Sequence, residues 1–169
     1  FDPNHPGMAQ AAMRRNRPVT DSFEPGSTFK AVSLAAVVEE GLAKAETPVF
    51  CEQGALALAN NDTIRDVSPH GILTMAEVVE KSSNIGAIKL VRRIERRDFY
   101  EYIRRFGFGT RTGVGLPAES VGLLRSTSTW SERSLETLAI GQELSVTLLQ
   151  LAQAFGAIAN GGLLITPNI

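Results

Sequence analysis

Cysteine and histidine are scarce in this sequence of 169 residues. Cys51 is the one cysteine, so the chain can form neither an internal disulfide nor a thiolate cluster for a metal. His5 and His70 are the two histidines, and each lies beside turn residues far from the other. They leave few candidates for a Ser-His-Asp triad and no His-Glu-x-x-His zinc pattern. We therefore expect no metal and no cofactor.

Long apolar runs and an excess of charge of one sign are also missing. No stretch approaches the roughly 20 apolar residues of a membrane span, and the N-terminus has no targeting pattern. The formal net charge of -1 gives no basic surface for nucleic acid, and the arginines at 92–93 and 96–97 are expected on a solvated helix face. The length and the hydrophobic content of 43% predict one domain with a real core, and any membrane anchor is expected outside this chain.

The chain is organised around residues 24–38. Pro25 and Gly26 predict a turn, and no helix breaker follows before Gly41, so a helix should begin at about Ser27. Side chains three apart share a helix face, so the Ser27 hydroxyl and the Lys30 amine are expected to meet. The run from 29 to 38 is apolar on nearly every side, which predicts a helix surrounded by protein.

This arrangement predicts a nucleophile and its base. Burial disfavours the ammonium form, lowers the lysine pKa and leaves a neutral amine that could take the proton of Ser27. The unpaired N–H groups of the helix N-terminus suit an anion developing beside the serine. The alternative is structural: Ser and Lys are common residues, and the pair could be a helix-capping serine and a snorkelling lysine.

Downstream, polar signals divide the chain into short elements. Residues 47–66 contain brief apolar segments between turn residues and predict a small hairpin. Thr74 and Glu77 form a predicted capping box for a helix that runs to about Lys81. The polar tripeptide 82–84 should interrupt this helix, because its side chains compete for backbone hydrogen bonds, and helical periodicity resumes over 85–94.

The second half of the chain predicts further helices. Asp98 and Glu101 suggest another capping box, for a helix that ends at Gly107. The glycine-rich residues 107–115 follow a helix and lack a phosphate-binding motif, so we interpret them as a connector. Residues 135–140 predict a short helix, and Thr147 with Gln150 opens an apolar helix to about residue 160. Residues 163–167 would then begin a strand.

Two motifs give the chain a family resemblance. Ser27 and Lys30 form a Ser-x-x-Lys motif, and Ser82 and Asn84 form a Ser-x-Asn motif. Together with the flanks at 16–26, 70–74, 106–109 and 158–162, they resemble the transpeptidase domain of class B penicillin-binding proteins over essentially the full chain. The resemblance implies an α+β fold of the serine β-lactamase and D,D-transpeptidase type. It implies that residues 1–169 are an internal part of that domain, mostly helical with a small hairpin and without most of the central antiparallel sheet.

The same resemblance implies a reaction and its residues. Ser27 would attack the penultimate D-Ala carbonyl of a peptidoglycan stem peptide with Lys30 as base, and an amine from a neighbouring stem peptide would accept the acyl group. Ser82 would relay protons, and the Asn84 amide would hold both the substrate backbone and the lysine. β-Lactams would acylate Ser27. A membrane glycosyltransferase is an expected partner, and the domain is expected outside the bacterial cell membrane, in cell-wall synthesis.

Some family features differ or are missing. The third motif, Lys-Thr/Ser-Gly on a strand, is absent and is expected after Ile169, which predicts that these 169 residues alone are inactive. Glu143 stands where the family commonly has Gly, with little functional effect expected. Ser83 in place of Asp, and no Glu-x-x-Leu-Asn pattern near Glu119, argue against a class A β-lactamase. A β-lactam sensor, a D,D-carboxypeptidase and a scaffolding domain without chemistry remain alternatives.

Overall fold

The computed structural model describes residue 2, residues 4–58 and residues 62–168. These residues form seven α-helices and six short strands, which agrees with a mostly helical α+β fold. The helices are α1 (Arg17–Thr20), α2 (Lys30–Glu39), α3 (Met75–Glu80), α4 (Asn84–Val91), α5 (Arg96–Arg105), α6 (Ser134–Ala139) and α7 (Leu148–Ala159). The strands are β1 (Ser22–Phe23), β2 (Pro48–Phe50), β3 (Ala55–Ala57), β4 (Thr63–Arg65), β5 (Ile72–Thr74) and β6 (Val146–Thr147).

The strands form three separate antiparallel pairs. β3 pairs with β4 as the predicted hairpin, with Leu56 opposite Ile64. β2 pairs with β5, and β1 pairs with β6 across most of the chain length. These last two pairings were not predicted, because strands of two or three residues carry no readable alternation and their partners lie far away in sequence.

Polar caps set the helix boundaries where the sequence predicted them. At Thr74 the side chain accepts from the Glu77 N–H while Glu77 reaches back to the Thr74 N–H, and Thr147 and Gln150 form the same capping box at α7. Both predictions are confirmed. The predicted box at Asp98 is wrong: α5 begins at Arg96 with Glu95 as its N-cap, so Asp98 lies inside the first turn.

The core surrounds α2, whose ten residues include six buried ones. This helix packs against α4, α5 and α7, which confirms the prediction of a helix enclosed by protein. Phe29 lies at its start in tilted contact with Phe108 from the glycine-rich connector, with ring centroids 5.3 Å apart. The core therefore joins the start of α2 to segments from the whole length of the chain.

Three other predictions concern loops and surfaces. Residues 107–115 form no helix or strand, as predicted for a connector, and the four arginines at 92–93 and 96–97 are exposed. Residues 163–167, predicted to begin a strand, do not pair with any described residue as a strand. Within the described ranges, no helix combines the length and hydrophobicity needed to cross a bilayer.

Candidate active site

Ser27 lies on a 3₁₀ turn, Gly26–Phe29, that runs directly into α2. The Thr28 hydroxyl donates to the Pro25 carbonyl (2.7 Å), and the Gly26 N–H donates to the Gly141 carbonyl (3.0 Å). The Ser27 side chain is exposed, and its hydroxyl forms no hydrogen bond within the described residues. The turn therefore presents an uncommitted hydroxyl at the head of a buried helix.

Lys30 follows one turn later as the first residue of α2, and only 2% of it is exposed. Its backbone N–H donates to the Ser27 carbonyl, whereas no hydrogen bond joins the Lys30 amine to the Ser27 hydroxyl. Instead the amine donates to the Ser82 carbonyl oxygen (2.5 Å) and lies 3.0 Å from the Ser82 hydroxyl oxygen. Ser27 and Lys30 therefore lie on the same turn, as expected, but their side chains are not hydrogen-bonded to each other. Catalytic hydrogen bonds often form fully only when substrate is present.

Burial of Lys30 lowers the pKa of its amine from 10.5 to about 8, and the nearby negative charge of Asp66 acts in the opposite direction. With this pKa, about 10% of the amine is neutral at pH 7. A neutral amine has two N–H donors and one lone pair. If both donors face Ser82, the lone pair remains for a proton from Ser27.

Ser82 and Asn84 occupy the α3–α4 junction, residues 82–84, at the predicted interruption. Ser82 has φ +54°, a left-handed conformation that costs a non-glycine residue of order 1 kcal/mol. Ser83 is the N-cap of α4, accepting from the Gly86 N–H at 2.9 Å. The Asn84 amide donates to the Arg65 carbonyl (2.9 Å) and not to Lys30, so the expected Asn84–Lys30 contact is not formed.

Sequence reasoning missed Asp66, which follows β4. Its carboxylate accepts from the Ser83 hydroxyl (2.6 Å) and from the N–H groups of Asn84 (2.6 Å) and Ile85 (3.1 Å). The sequence offered a weak signal, a lone carboxylate between a strand and a turn. Nothing local linked it to residues 17 to 19 positions later.

The loop before β6 holds the Gly26–Phe29 turn from the other side. Gly141 has φ +78°, and a Cβ built there would lie 2.1 Å from the Gly26 carbonyl oxygen. The Glu143 N–H donates to the Glu24 carboxylate at 3.1 Å, and Glu143 itself has φ +61°. The left-handed backbone at 143 is compatible with the glycine that the resemblance led us to expect there.

The other titratable residues that the structure describes include a buried cysteine and an exposed histidine. No group of three His, Cys, Asp or Glu side chains is placed to hold a metal ion within residues 2, 4–58 and 62–168. Cys51 is buried, and burial raises the pKa of its thiol. His5 is exposed and contacts Asp2 near the N-terminus. The hydroxyls of Ser27 and Ser82, the Lys30 amine and the Asn84 carboxamide are the candidate groups of this site.

Comparisons with known proteins agree with this geometry. The family model described as penicillin binding protein transpeptidase domain matches residues 1–169. The chain is 42% identical over 172 residues to Penicillin-binding protein PbpB of Mycolicibacterium smegmatis, covering 100% of this chain and 26% of that protein. It is 33% identical over 165 residues to Probable peptidoglycan D,D-transpeptidase PenA of Neisseria gonorrhoeae, covering 98% and 28%.

A solved structure extends the agreement to the fold. Penicillin binding protein 3 from Mycobacterium tuberculosis, complexed with aztreonam, matches with a TM-score of 0.87 and 38% identity, covering 100% of this chain and 37% of that chain. The chain spans about a quarter of the length of the two curated relatives. Because the family model matches the chain from end to end and the fold agrees, the chain belongs to the penicillin-binding protein transpeptidase domain family.

Proposed function

We propose that this chain is the serine-bearing part of a peptidoglycan D,D-transpeptidase domain, with Ser27 as nucleophile and Lys30, Ser82 and Asn84 as its partners. The observation that carries the proposal is the buried Lys30 amine, which lies one helical turn after an exposed serine and within hydrogen-bond distance of a second hydroxyl, on Ser82. Burial lowers the pKa of this amine to about 8, close to neutral pH, as a general base requires.

The first half-reaction forms an acyl-enzyme. The Ser27 oxygen attacks the penultimate D-Ala carbonyl carbon while its proton passes to the Lys30 lone pair. The Ser27 N–H, on the 3₁₀ turn that leads into α2, stabilises part of the negative charge that develops on the carbonyl oxygen. The bond to the terminal D-Ala then breaks, and Ser82 relays the proton from Lys30 to the leaving amine, using the contact that already joins the two side chains.

The second half-reaction reverses these proton transfers. An amine from a neighbouring stem peptide attacks the acyl carbonyl, loses its proton through Ser82 to Lys30, and releases the Ser27 oxygen, which regains its proton. The Asn84 amide would orient the donor strand, which requires it to exchange its Arg65 carbonyl partner for substrate. The product is a cross-link between two stem peptides.

β-Lactams should block this serine. They present a strained amide that Ser27 would open to a stable acyl-enzyme, and the related penicillin binding protein 3 has been solved as a complex with aztreonam. We further propose that the domain works on the outer side of the bacterial membrane, since peptidoglycan is assembled there. A membrane anchor and a membrane glycosyltransferase partner stay predictions.

Fluorescent penicillin labelling of the full-length protein tests the proposal. Wild-type protein should be labelled covalently, and Ser27→Ala should lose the label because no nucleophile remains. Ser22→Ala is a matched control, since Ser22 is an exposed serine on β1 just before the same turn. Equal labelling of wild type and Ser27→Ala would refute the assignment.

The remaining alternatives differ in what happens after acylation. With stem peptides carrying D-Ala-D-Ala and an amine acceptor, a transpeptidase releases D-Ala and forms the cross-linked product. Release of D-Ala with hydrolysed peptide alone would identify a D,D-carboxypeptidase. Penicillin labelling without any D-Ala release would indicate a β-lactam sensor.

A further inference from the structure

Asp66 accepts three hydrogen bonds, two from the α3–α4 junction and one from the next residue of α4, and it has no role in the reaction described above. Its Oδ2 accepts from the Ser83 hydroxyl, and its Oδ1 accepts from the Asn84 and Ile85 N–H groups. The three donors are consecutive residues, and two of them are backbone groups at the N-terminus of α4. A carboxylate that bonds three consecutive residues fixes both the position and the orientation of that segment.

The segment held in this way directly follows a residue with a strained backbone. Ser82 immediately precedes Ser83, has φ +54°, and directs both its carbonyl and its hydroxyl oxygen to the Lys30 amine. Such a backbone persists only when its surroundings over-determine it. Lys30 restrains Ser82 directly, and Asp66 restrains the residues that follow it.

We propose that Asp66 is a positioning residue of the transpeptidase reaction: its carboxylate holds the residues that follow Ser82, so that Ser82 faces Lys30. The inference rests on the proposed function. Asp66 itself touches no reacting atom in this scheme. It acts through Ser83 and Asn84 on Ser82, and through space on Lys30.

The charge environment makes this electrostatic role specific. Within the described residues, burial lowers the pKa of Lys30 and Asp66 is the charged group that raises it. Asp66 also raises the pKa of the Cys51 thiol, whereas Lys89 lowers it. Lys89 itself forms an ion pair with Glu52. Asp66 therefore counteracts the burial of the base.

The test separates the charge of Asp66 from its geometry. In Asp66→Asn the amide oxygen still accepts from both N–H groups, and the amide nitrogen can donate to the Ser83 oxygen, so the junction is held without the charge. In Asp66→Glu the negative charge remains, but the added methylene moves the carboxylate oxygens away from their three hydrogen-bond donors. The measurement is the rate constant for acylation by a fluorescent penicillin, followed from pH 6 to pH 10 in the full-length protein.

Asp66→Asn should move the midpoint of the pH profile to lower pH. The variant lacks the negative charge at residue 66 that favours the ammonium form of Lys30. The ratio of variant to wild-type rate should be about threefold higher at pH 6 than at pH 9. Asp66→Glu should retain the wild-type midpoint with a maximal rate about tenfold lower or more, since misplaced groups slow the reaction.

Glu119→Gln is the matched control. Glu119 is a buried carboxylate whose oxygen accepts from the N–H and hydroxyl of Thr112, both at 2.6 Å, and its variant should keep the wild-type midpoint. The inference is overturned if Asp66→Asn keeps the wild-type midpoint, if Glu119→Gln shifts it equally, or if Asp66→Glu reacts at the wild-type rate. Should Asp66→Asn fail to fold, the Asp66→Glu rate decides. Failure of the proposed function is distinguishable, because wild-type protein would then not be acylated.

Discussion

At the residue scale, Lys30 combines a chemical advantage with a cost to stability. Its side chain is almost fully buried, and burial lowers its pKa from 10.5 to about 8. Below pH 8 the folded protein must hold an ammonium group away from water, which is unfavourable, although the Ser82 carbonyl partly compensates. A catalytic base in this position is therefore expected to destabilise the fold that carries it.

Lys30→Met should make this cost measurable. Between pH 8 and pH 10.5 the unfolded wild-type chain retains a proton that the folded chain has lost, so the wild-type free energy of unfolding rises with pH in this window. The variant has no such group. The stability difference, variant minus wild type, should therefore fall by about 3 kcal/mol from pH 7 to pH 10.5, while penicillin labelling is lost.

Denaturant unfolding at several pH values measures this difference. Lys44→Met serves as the control because Lys44 is exposed, and it should show no comparable trend. A Lys30→Met difference that stays constant across the range would mean that the folded state does not lower the Lys30 pKa.

At the element scale, the sequence predicted the elements whose ends are set by neighbouring side chains. The capping boxes at Thr74 and Thr147 and the interruption at residues 82–84 depend on groups three or four residues apart, and all three are confirmed. The β1–β6 and β2–β5 pairs and the Asp66 contacts depend on partners distant in sequence, and they were missed. At Asp98 a capping pattern was present, but the N-cap of α5 is Glu95, three residues earlier.

The turn that carries Ser27 depends on one of these distant contacts. Gly141→Ala would place a Cβ 2.1 Å from the Gly26 carbonyl oxygen, so the Gly26–Phe29 turn must move. Penicillin acylation should fall by roughly 100-fold, since an ångström-scale displacement of a nucleophile is that costly. Rate measurements on purified protein, together with its melting temperature, test this.

Gly115→Ala is the matched control for backbone strain. Gly115 has φ +77°, nearly the same as Gly141, but a Cβ there would meet nothing within 4 Å. This variant should lose about 1 kcal/mol of stability and keep its acylation rate. If both variants were acylated at the wild-type rate, contact between Gly141 and Gly26 would not be what positions the serine.

At the scale of the whole molecule, contacts that span the chain hold the site together. The Ser33 hydroxyl in α2 donates to the Ala139 carbonyl in α6, 106 positions away. β1 and β6 pair over a similar distance, and Phe29 packs on Phe108. Phe29, the residue before Lys30, is thus held by a ring 79 positions later in the chain. We infer that the site and the core form one cooperative unit.

Phe108→Ala tests this cooperativity in the 169-residue chain. Phe108 is fully buried, so its truncation should cost about 3–5 kcal/mol. Trp130 is the only tryptophan and packs edge-on against Tyr100 of α5, so its fluorescence reports on a region away from the mutated ring. Because one core connects these regions, the fluorescence and far-ultraviolet circular dichroism midpoints should fall together. Phe155→Ala, at a ring that is 42% exposed on α7, should cost less than about 1 kcal/mol. A Phe108→Ala variant in which the two probes separate would show that the site unfolds independently of the α5 region.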